Sequence, residues 1–180
     1  MITSKQELAE FLQYERKLYI SSGRFTVLKL FLLCDHDYLL WKYIKALRYT
    51  EYYFNMNKKI QYWFWQRIKN KRGRKLGITI WHNTIDKGLR LWHYGSVIIN
   101  GHARIGGDCQ FHGNNCVGNK GEYDQEAPTI GNNVDIGVGA VILGNVYIAD
   151  NVKIGANAVV TKSCYKKGAT LVGVPARMIK

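Results

Sequence analysis

Absent from this sequence is any apolar stretch long enough to cross a bilayer. The most apolar run, Phe25–Leu33, is short and is interrupted by Lys29. The amino terminus, MITSKQELAEF, puts Glu7 and Glu10 where an export signal needs an apolar run, so the expected location is cytoplasmic. The cysteines Cys34, Cys109, Cys116 and Cys164 show no CxxC pairing and read as reduced thiols. No Cys/His/acid cluster has ligand spacing, so no metal is expected. Acids are scarce: 13 Asp and Glu stand against 26 Lys and Arg, a formal net charge of +13. Between Lys42 and Lys75 there are eleven Lys or Arg and a single acid, Glu51. A basic, aromatic segment of this kind suits nucleic acid, an anionic membrane surface or an acidic glycolipid. Nucleic acid ranks lowest, because the rest of the chain has no recognition motif. A solvated face plus an oligomer contact explains the same charges, so a peripheral membrane contact stays one of two readings.

What is abundant is a period of six. From Ile130 to Tyr165 the chain divides without a gap into IGNNVD, IGVGAV, ILGNVY, IADNVK, IGANAV and VTKSCY. The lead residues are Ile130, Ile136, Ile142, Ile148, Ile154 and Val160, and the fifth residues Val134, Ala140, Val146, Val152, Ala158 and Cys164 are small or aliphatic. Neither a helix of 3.6 residues per turn nor a plain alternating strand keeps this period. A short strand plus a corner does, with lead and fifth side chains filling a narrow prism. Three hexads make a coil, so residues 18 apart stack at about the ~4.8 Å strand spacing. The fold class is mainly β, a parallel β-helix.

The repeat resumes upstream at Ile99, Ile105, Phe111 and Val117, with Ala103, Cys109 and Asn115 at the fifth position. In weaker form it reaches back through Leu91 and Ile85 to Thr79. Two breaks interrupt it: two extra residues around His93, and a spacing of thirteen between Val117 and Ile130 that expels a loop near Asn119–Pro128. Insertions in a solenoid map to its binding face, so the chemistry is expected at these breaks.

Before the coil, residues 4 to about 76 have helical pattern, which divides the chain into a helical region, 1–76, and a β-helix, 77–180. Thr3 or Ser4 caps a first helix whose face is Leu8, Phe11, Leu12, Glu15 and Leu18, broken at Ser21–Gly23. Further helices are expected over about Phe25–Leu33, Tyr38–Tyr49 and Glu51–Lys69. The trio Asp35-His36-Asp37 reads as a cap for the third helix rather than a charge relay, since no carboxylate or His pairs with it nearby.

The segment GLRLWHYGSVIIN at 88–100, the loop, the sextets and the ending LVGVPARMIK together resemble the hexapeptide-repeat acyltransferases. Within them the resemblance is to the serine acetyltransferase group and the O-acetyltransferases of bacterial polysaccharide clusters. It covers about residues 76 to 180. It implies a left-handed coil, a homotrimer (with the aromatic helices capping trimers or pairing them into a dimer of trimers) and acetyl-CoA as co-substrate. It also implies that His93 is the general base. The chemistry agrees independently: an alcohol attacking a thioester must lose its proton, and imidazole, with an ordinary pKa near ~6.5, suits that step at neutral pH. Backbone amides near the bulge or loop would hold the oxyanion.

By the same resemblance, acetyl-CoA lies in the groove between adjacent prisms, against Gly118, Asn119, Val138, Gly139 and Ala156; by charge alone, Lys162 and Arg177 are candidates to meet its phosphates. Its acceptor is expected to differ from free serine. Serine acetyltransferases carry an Asp just before the catalytic His and an Arg-His pair before the loop's closing Pro. Here those places hold Trp92 and Glu126-Ala127 before Pro128. A zwitterion needs both a carboxylate and a cation, whereas Trp92 offers a face on which a pyranose ring stacks. His112 is a candidate helper, and Glu122, Asp124 and Glu126 are candidates to bond sugar hydroxyls. The family's Asp that pairs with the base, one coil upstream, has no match near Thr79, so what orients His93 is open. The expected function is an acetyl-CoA-dependent O-acetyltransferase acting on a sugar of bacterial surface polysaccharide. The alternatives are serine O-acetylation and a non-catalytic β-helix scaffold.

Overall fold

The computed structural model describes residues 1–21, 26–121 and 125–179. Among the described residues four helices precede the coil: α1 (Lys5–Tyr19), α2 (Thr26–Leu32), α3 (His36–Asn55) and α4 (Lys59–Leu76). Ser4 caps α1, accepting from the Glu7 amide while the Glu7 carboxylate accepts from the Ser4 amide. The expected break at Ser21–Gly23 and the Phe25 start of the second helix fall wholly or partly outside the described residues. The boundary between the third and fourth helices lies later than the sequence reading placed it. Thr50 turns its hydroxyl back onto the Ala46 carbonyl and leaves α3 unbroken. The chain turns instead at Met56–Lys58, where Asn57 adopts a left-handed φ of 52°. Gly77, with φ of 73°, ends α4 and releases the chain into the coil.

The coil is built from short strands, β1 to β14 in chain order, on three faces. One face stacks β1 (Ile78–Ile80), β3 (Val97–Ile99), β6 (Asn115–Gly118), β9 (Val141–Leu143) and β12 (Val159–Val160). The second stacks β4 (Arg104–Ile105), β7 (Thr129–Ile130) and β10 (Tyr147–Ile148). The third stacks β2 (Arg90–Leu91), β5 (Gln110–Phe111), β8 (Asp135–Ile136), β11 (Lys153–Ile154) and β13 (Thr170–Val172), with β14 (Arg177–Met178) as an antiparallel edge. Every other pairing is parallel. Regular coils advance by 18 residues, as Asp135 over Lys153; the coil containing the loop advances by 25, as Gln110 over Asp135. The difference of seven is the expelled loop.

Lead and fifth residues from Leu89 to Ala158 are buried. Asn115 is a polar exception made tolerable by bonding: its carbonyl accepts from the Gly113 amide and its amide donates to the Gly137 and Ala140 carbonyls. At both ends the phase departs from the sequence reading. Thr79 is exposed, and Ile80 pairs with Ile99, so Ile80 leads the first rung. Strand alternation turns Ile78 and Ile80 inward and Thr79 out. Cys164 bridges to Ile148 and so occupies a lead position rather than a fifth, because the last coil is short by two residues.

The helices are pinned to the first coil by a buried charge cluster. Arg48 of α3 bonds Glu15 of α1 (2.6 Å), Glu51 (2.8 Å) and the carbonyls of Ile85 and Asp86. Glu15 in turn accepts from the amides of Gly88 and Leu89. Burial opposes the Arg48 charge, but the two carboxylates more than offset it and its pKa ends up raised. Burial outweighs Arg48 at Glu51, whose pKa is raised. One apolar core runs from Tyr19 and Leu40 in the helices to Leu171 in the final rung.

Candidate active site

The chain leaves the prism wall after Leu91, which is buried, so that Trp92, His93 and Tyr94 stand exposed at the corner. The return is made by Gly95, whose φ of 133° a side chain would strain and whose missing Cβ leaves room for the Asn114 carbonyl. Its amide donates to Leu76 at the end of α4, and the next amide, of Ser96, donates to Asn114.

His36, the first residue of α3, closes over this corner. Its Nε2 lies 2.7 Å from the Trp92 carbonyl, which can only accept, so that nitrogen carries the proton. Its ring stacks on His93, centroids 5.7 Å apart and planes 28° apart. The sequence reading of the trio holds for Asp35, whose carboxylate accepts from the Tyr38 amide and caps α3. It is incomplete for the other two, because their partners lie more than fifty residues away: His36 meets Trp92 and His93, and Asp37 pairs with Arg90 at 3.2 Å.

A crevice of about 580 Å³ opens beside His93. His112 stands at the same end, its Nε2 2.8 Å from an Asp135 carboxylate oxygen. Gly137, Val138, Gly155 and Ala156 form its wall on successive coils, with Lys153 and Thr170 farther along. Gly137 is obligatory here, since a Cβ would approach the Ala156 amide nitrogen to 2.7 Å. Trp92 does not line this crevice; it stacks on His112 at 5.8 Å, carries Arg90 over its ring and donates from Nε1 to Gln110. It borders a second crevice of about 560 Å³ with Tyr14, Asp108, Gln110 and Asn133.

The structure therefore gathers His93, His112, Val138 and Ala156 of the residues expected from sequence. Gly118, Asn119 and Gly139 do not line the crevice; Gly139, with φ of 72°, turns a corner. Lys162 is exposed beyond β12 and Arg177 is exposed on β14. Glu126 is exposed and away from the crevice lining, while Glu122 and Asp124 lie outside the described residues. Asp135, Lys153 and Thr170 are not among the residues expected from sequence, and His36 was expected only as part of a helix cap. A signal existed for Asp135 and Lys153: each directly precedes a lead Ile, and the register stacks them with Gln110 and Arg90 on one outward face. Among the described residues, no group of three His, Cys, Asp or Glu is placed to hold a metal.

The coil is assembled from six-residue repeats, and the family model described as bacterial transferase hexapeptide (six repeats) matches residues 127–162 of it. Among solved structures the chain is similar to a soybean serine acetyltransferase apoenzyme, with a TM-score of 0.77 and 23% identity over 96% of this chain and 69% of that one. It is similar also to a serine acetyltransferase in complex with CoA (TM-score 0.76, 23% identity, 97% of this chain and 71% of that). A third likeness is to the Neisseria gonorrhoeae serine acetyltransferase (TM-score 0.71, 24% identity, 98% and 68%). No curated protein matches the sequence. The fold is that of these structures: a left-handed parallel β-helix preceded by helices.

Proposed function

We propose that the protein is an acetyl-CoA-dependent O-acetyltransferase. The observation that carries this reading is an exposed imidazole, His93, at the head of a crevice walled by small residues on successive coils. His93 takes the proton from the acceptor hydroxyl as the oxygen attacks the thioester carbonyl; the tetrahedral intermediate then collapses and expels the CoA thiolate. The pantetheine arm runs along Val138 and Ala156. Lys153, which lines the crevice, meets the CoA phosphates, with Lys162 and Arg177 as further cations for them. A neighbouring protomer of a homotrimer supplies the opposite wall. Likeness to a structure whose description records bound CoA supports the co-substrate.

For the acceptor we favour a saccharide hydroxyl. The places where this sequence differs from the serine acetyltransferases, Trp92 before His93 and Glu126-Ala127 before Pro128, support that choice; the second crevice itself, lined by Arg90 and Asp108 as well as Trp92 and Gln110, holds both the cation and the carboxylate that a zwitterion needs. Free serine is the second reading, favoured by likeness to a soybean serine acetyltransferase complexed with serine. Thiol release from acetyl-CoA, measured across serine and a panel of sugar nucleotides, separates the two. Release with neither leaves the scaffold reading. His93→Ala is expected to lower turnover by about 10²- to 10⁴-fold while CoA affinity stays unchanged. Near-wild-type turnover in that variant would remove His93 as the base.

A further inference from the structure

We propose that the outer face of α4, with the cleft it forms against the first rung, docks the protein on an anionic lipid bilayer. This goes beyond the transferase reading and does not depend on it. Helix α4 carries seven Lys or Arg and no acid. Its outward stripe falls at helical spacing and is divided along its length. The first half presents Ile60, Trp63 and Phe64, exposed at 78%, 67% and 58%. The second half presents Arg67, Lys71 and Arg74, all exposed.

Beside this stripe lies a cleft of about 1130 Å³, between the helix and β1, flanked by Trp63 and Trp81. It is lined by Arg67, Lys69, Lys71 and Arg74, and no carboxylate is among its described lining residues. At its floor the Lys69 side chain is only 4% exposed, and its ammonium donates to the Ile80 carbonyl at 2.8 Å. Burial pushes the Lys69 pKa down to about 8 against the opposing pull of the Glu51 carboxylate, which marks a cation held at a cost. The neighbouring Gln66 has a buried carbonyl oxygen without a partner.

Large apolar side chains followed by cations on one helical face match an interfacial helix. The apolar half enters the headgroup region, and the basic half with its cleft meets lipid phosphates. A second copy of this chain is the wrong occupant, because a self-complementary contact would set these cations against one another. Nucleic acid would satisfy the cations but leave Ile60 and Phe64 without an apolar partner.

Flotation of the full chain with phosphatidylcholine vesicles, with and without phosphatidylglycerol, tests the proposal. Binding is expected only with phosphatidylglycerol and is weakened by salt. The triple variant Arg67→Glu/Lys71→Glu/Arg74→Glu is expected to bind at least about tenfold more weakly, with unchanged circular dichroism. Brominated lipid is expected to quench the wild-type tryptophan fluorescence, and Trp63→Phe to keep binding while losing most of that quenching. Equal binding to both vesicle types, or full binding by the triple variant, would overturn the docking face. So would displacement by an oligonucleotide at equal phosphate concentration, which assigns the face to nucleic acid.

Discussion

His36 and His93, 57 positions apart in the chain, lie ring on ring with centroids 5.7 Å apart. The contact joins the start of α3 to the corner where the imidazole leaves the coil. On the proposed reading, His36 is the group that orients the His93 ring, which the sequence left open for want of an Asp one coil upstream. His36 is itself fixed by its bond to the Trp92 carbonyl. His36→Ala is therefore expected to lower kcat about tenfold, with the KM for acetyl-CoA unchanged, because orientation alone is lost. His36→Phe keeps the stack and should recover part of the loss. A pH–rate profile completes the test. If the alanine variant changes neither kcat nor the acid limb of that profile, His36 does no more than hold the Trp92 carbonyl.

The wall beneath His93 makes a steric prediction. Ala156 stands 18 residues after Val138 and lines the crevice with it. A Trp at 156 would fill the space assigned to the pantetheine arm while leaving the inward lead residue Ile154 untouched. Ala156→Trp is expected to abolish CoA binding in calorimetry and to leave the melting temperature within a few degrees. Lys153→Ala should act more mildly, weakening CoA about three- to tenfold through the loss of one exposed charge. Tight CoA binding by the tryptophan variant would move the cofactor to another groove.

The join between helices and coil rests on Arg48, which is fully buried between Glu15 and Glu51. Truncating it to Met leaves two carboxylates facing each other without a cation. Arg48→Met is expected to lose about 3–5 kcal/mol in urea denaturation. Replacing all three charged residues with apolar ones of similar volume should lose less, since no charge is then buried unpaired and only the backbone groups of Gly88, Leu89, Ile85, Asp86 and Asn83 lose their side-chain partners. Equal losses in the two variants would show that packing, not charge, holds the joint.

These residues also show which parts of the molecule the sequence made legible. The hexads could be read because inward positions are fixed and take mostly aliphatic or small side chains, Phe111 and Asn115 apart, and Ile130 to Ile154 obey that limit without exception. The phase slipped at Thr79, where two isoleucines flank one outward residue and a count of six cannot tell which isoleucine leads. The late end of α3 was missed because nothing local to Thr50 weakens the helix, whereas Asn57 takes a left-handed turn that many sequences would not announce. His93 stood out because the period broke there. His36, Glu15 and Arg48 did not, because a helical pattern reports which face is buried and not what it meets. Glu15 looked like a polar intrusion on an apolar face; it is the acceptor for Arg48 and two coil amides.

Lys69 gives a prediction whose sign differs from that of the buried thiol and phenols. Its pKa, about 8 in the folded chain against an ordinary 10.5, is depressed by burial. Between those values the unfolded chain binds the extra proton, so stability rises with pH as the ammonium is relieved of its charge, by at most about 1.4 kcal/mol per unit. Cys109, pushed up to about 11 from 9.0 by burial, works in the opposite direction above pH 9, and buried Tyr19 and Tyr43, also raised, follow from about pH 10. Comparison with Lys69→Met cancels those contributions. The stability of the wild type relative to that variant is therefore expected to climb steadily from pH 8 to pH 10 in chemical denaturation. Anionic vesicles, which keep the ammonium charged if they meet it at the floor of the α4 cleft, should flatten that climb. A difference that is level with pH in plain buffer would mean that Lys69 keeps its charge well hydrated, and the cleft would then have no buried cation to offer a phosphate.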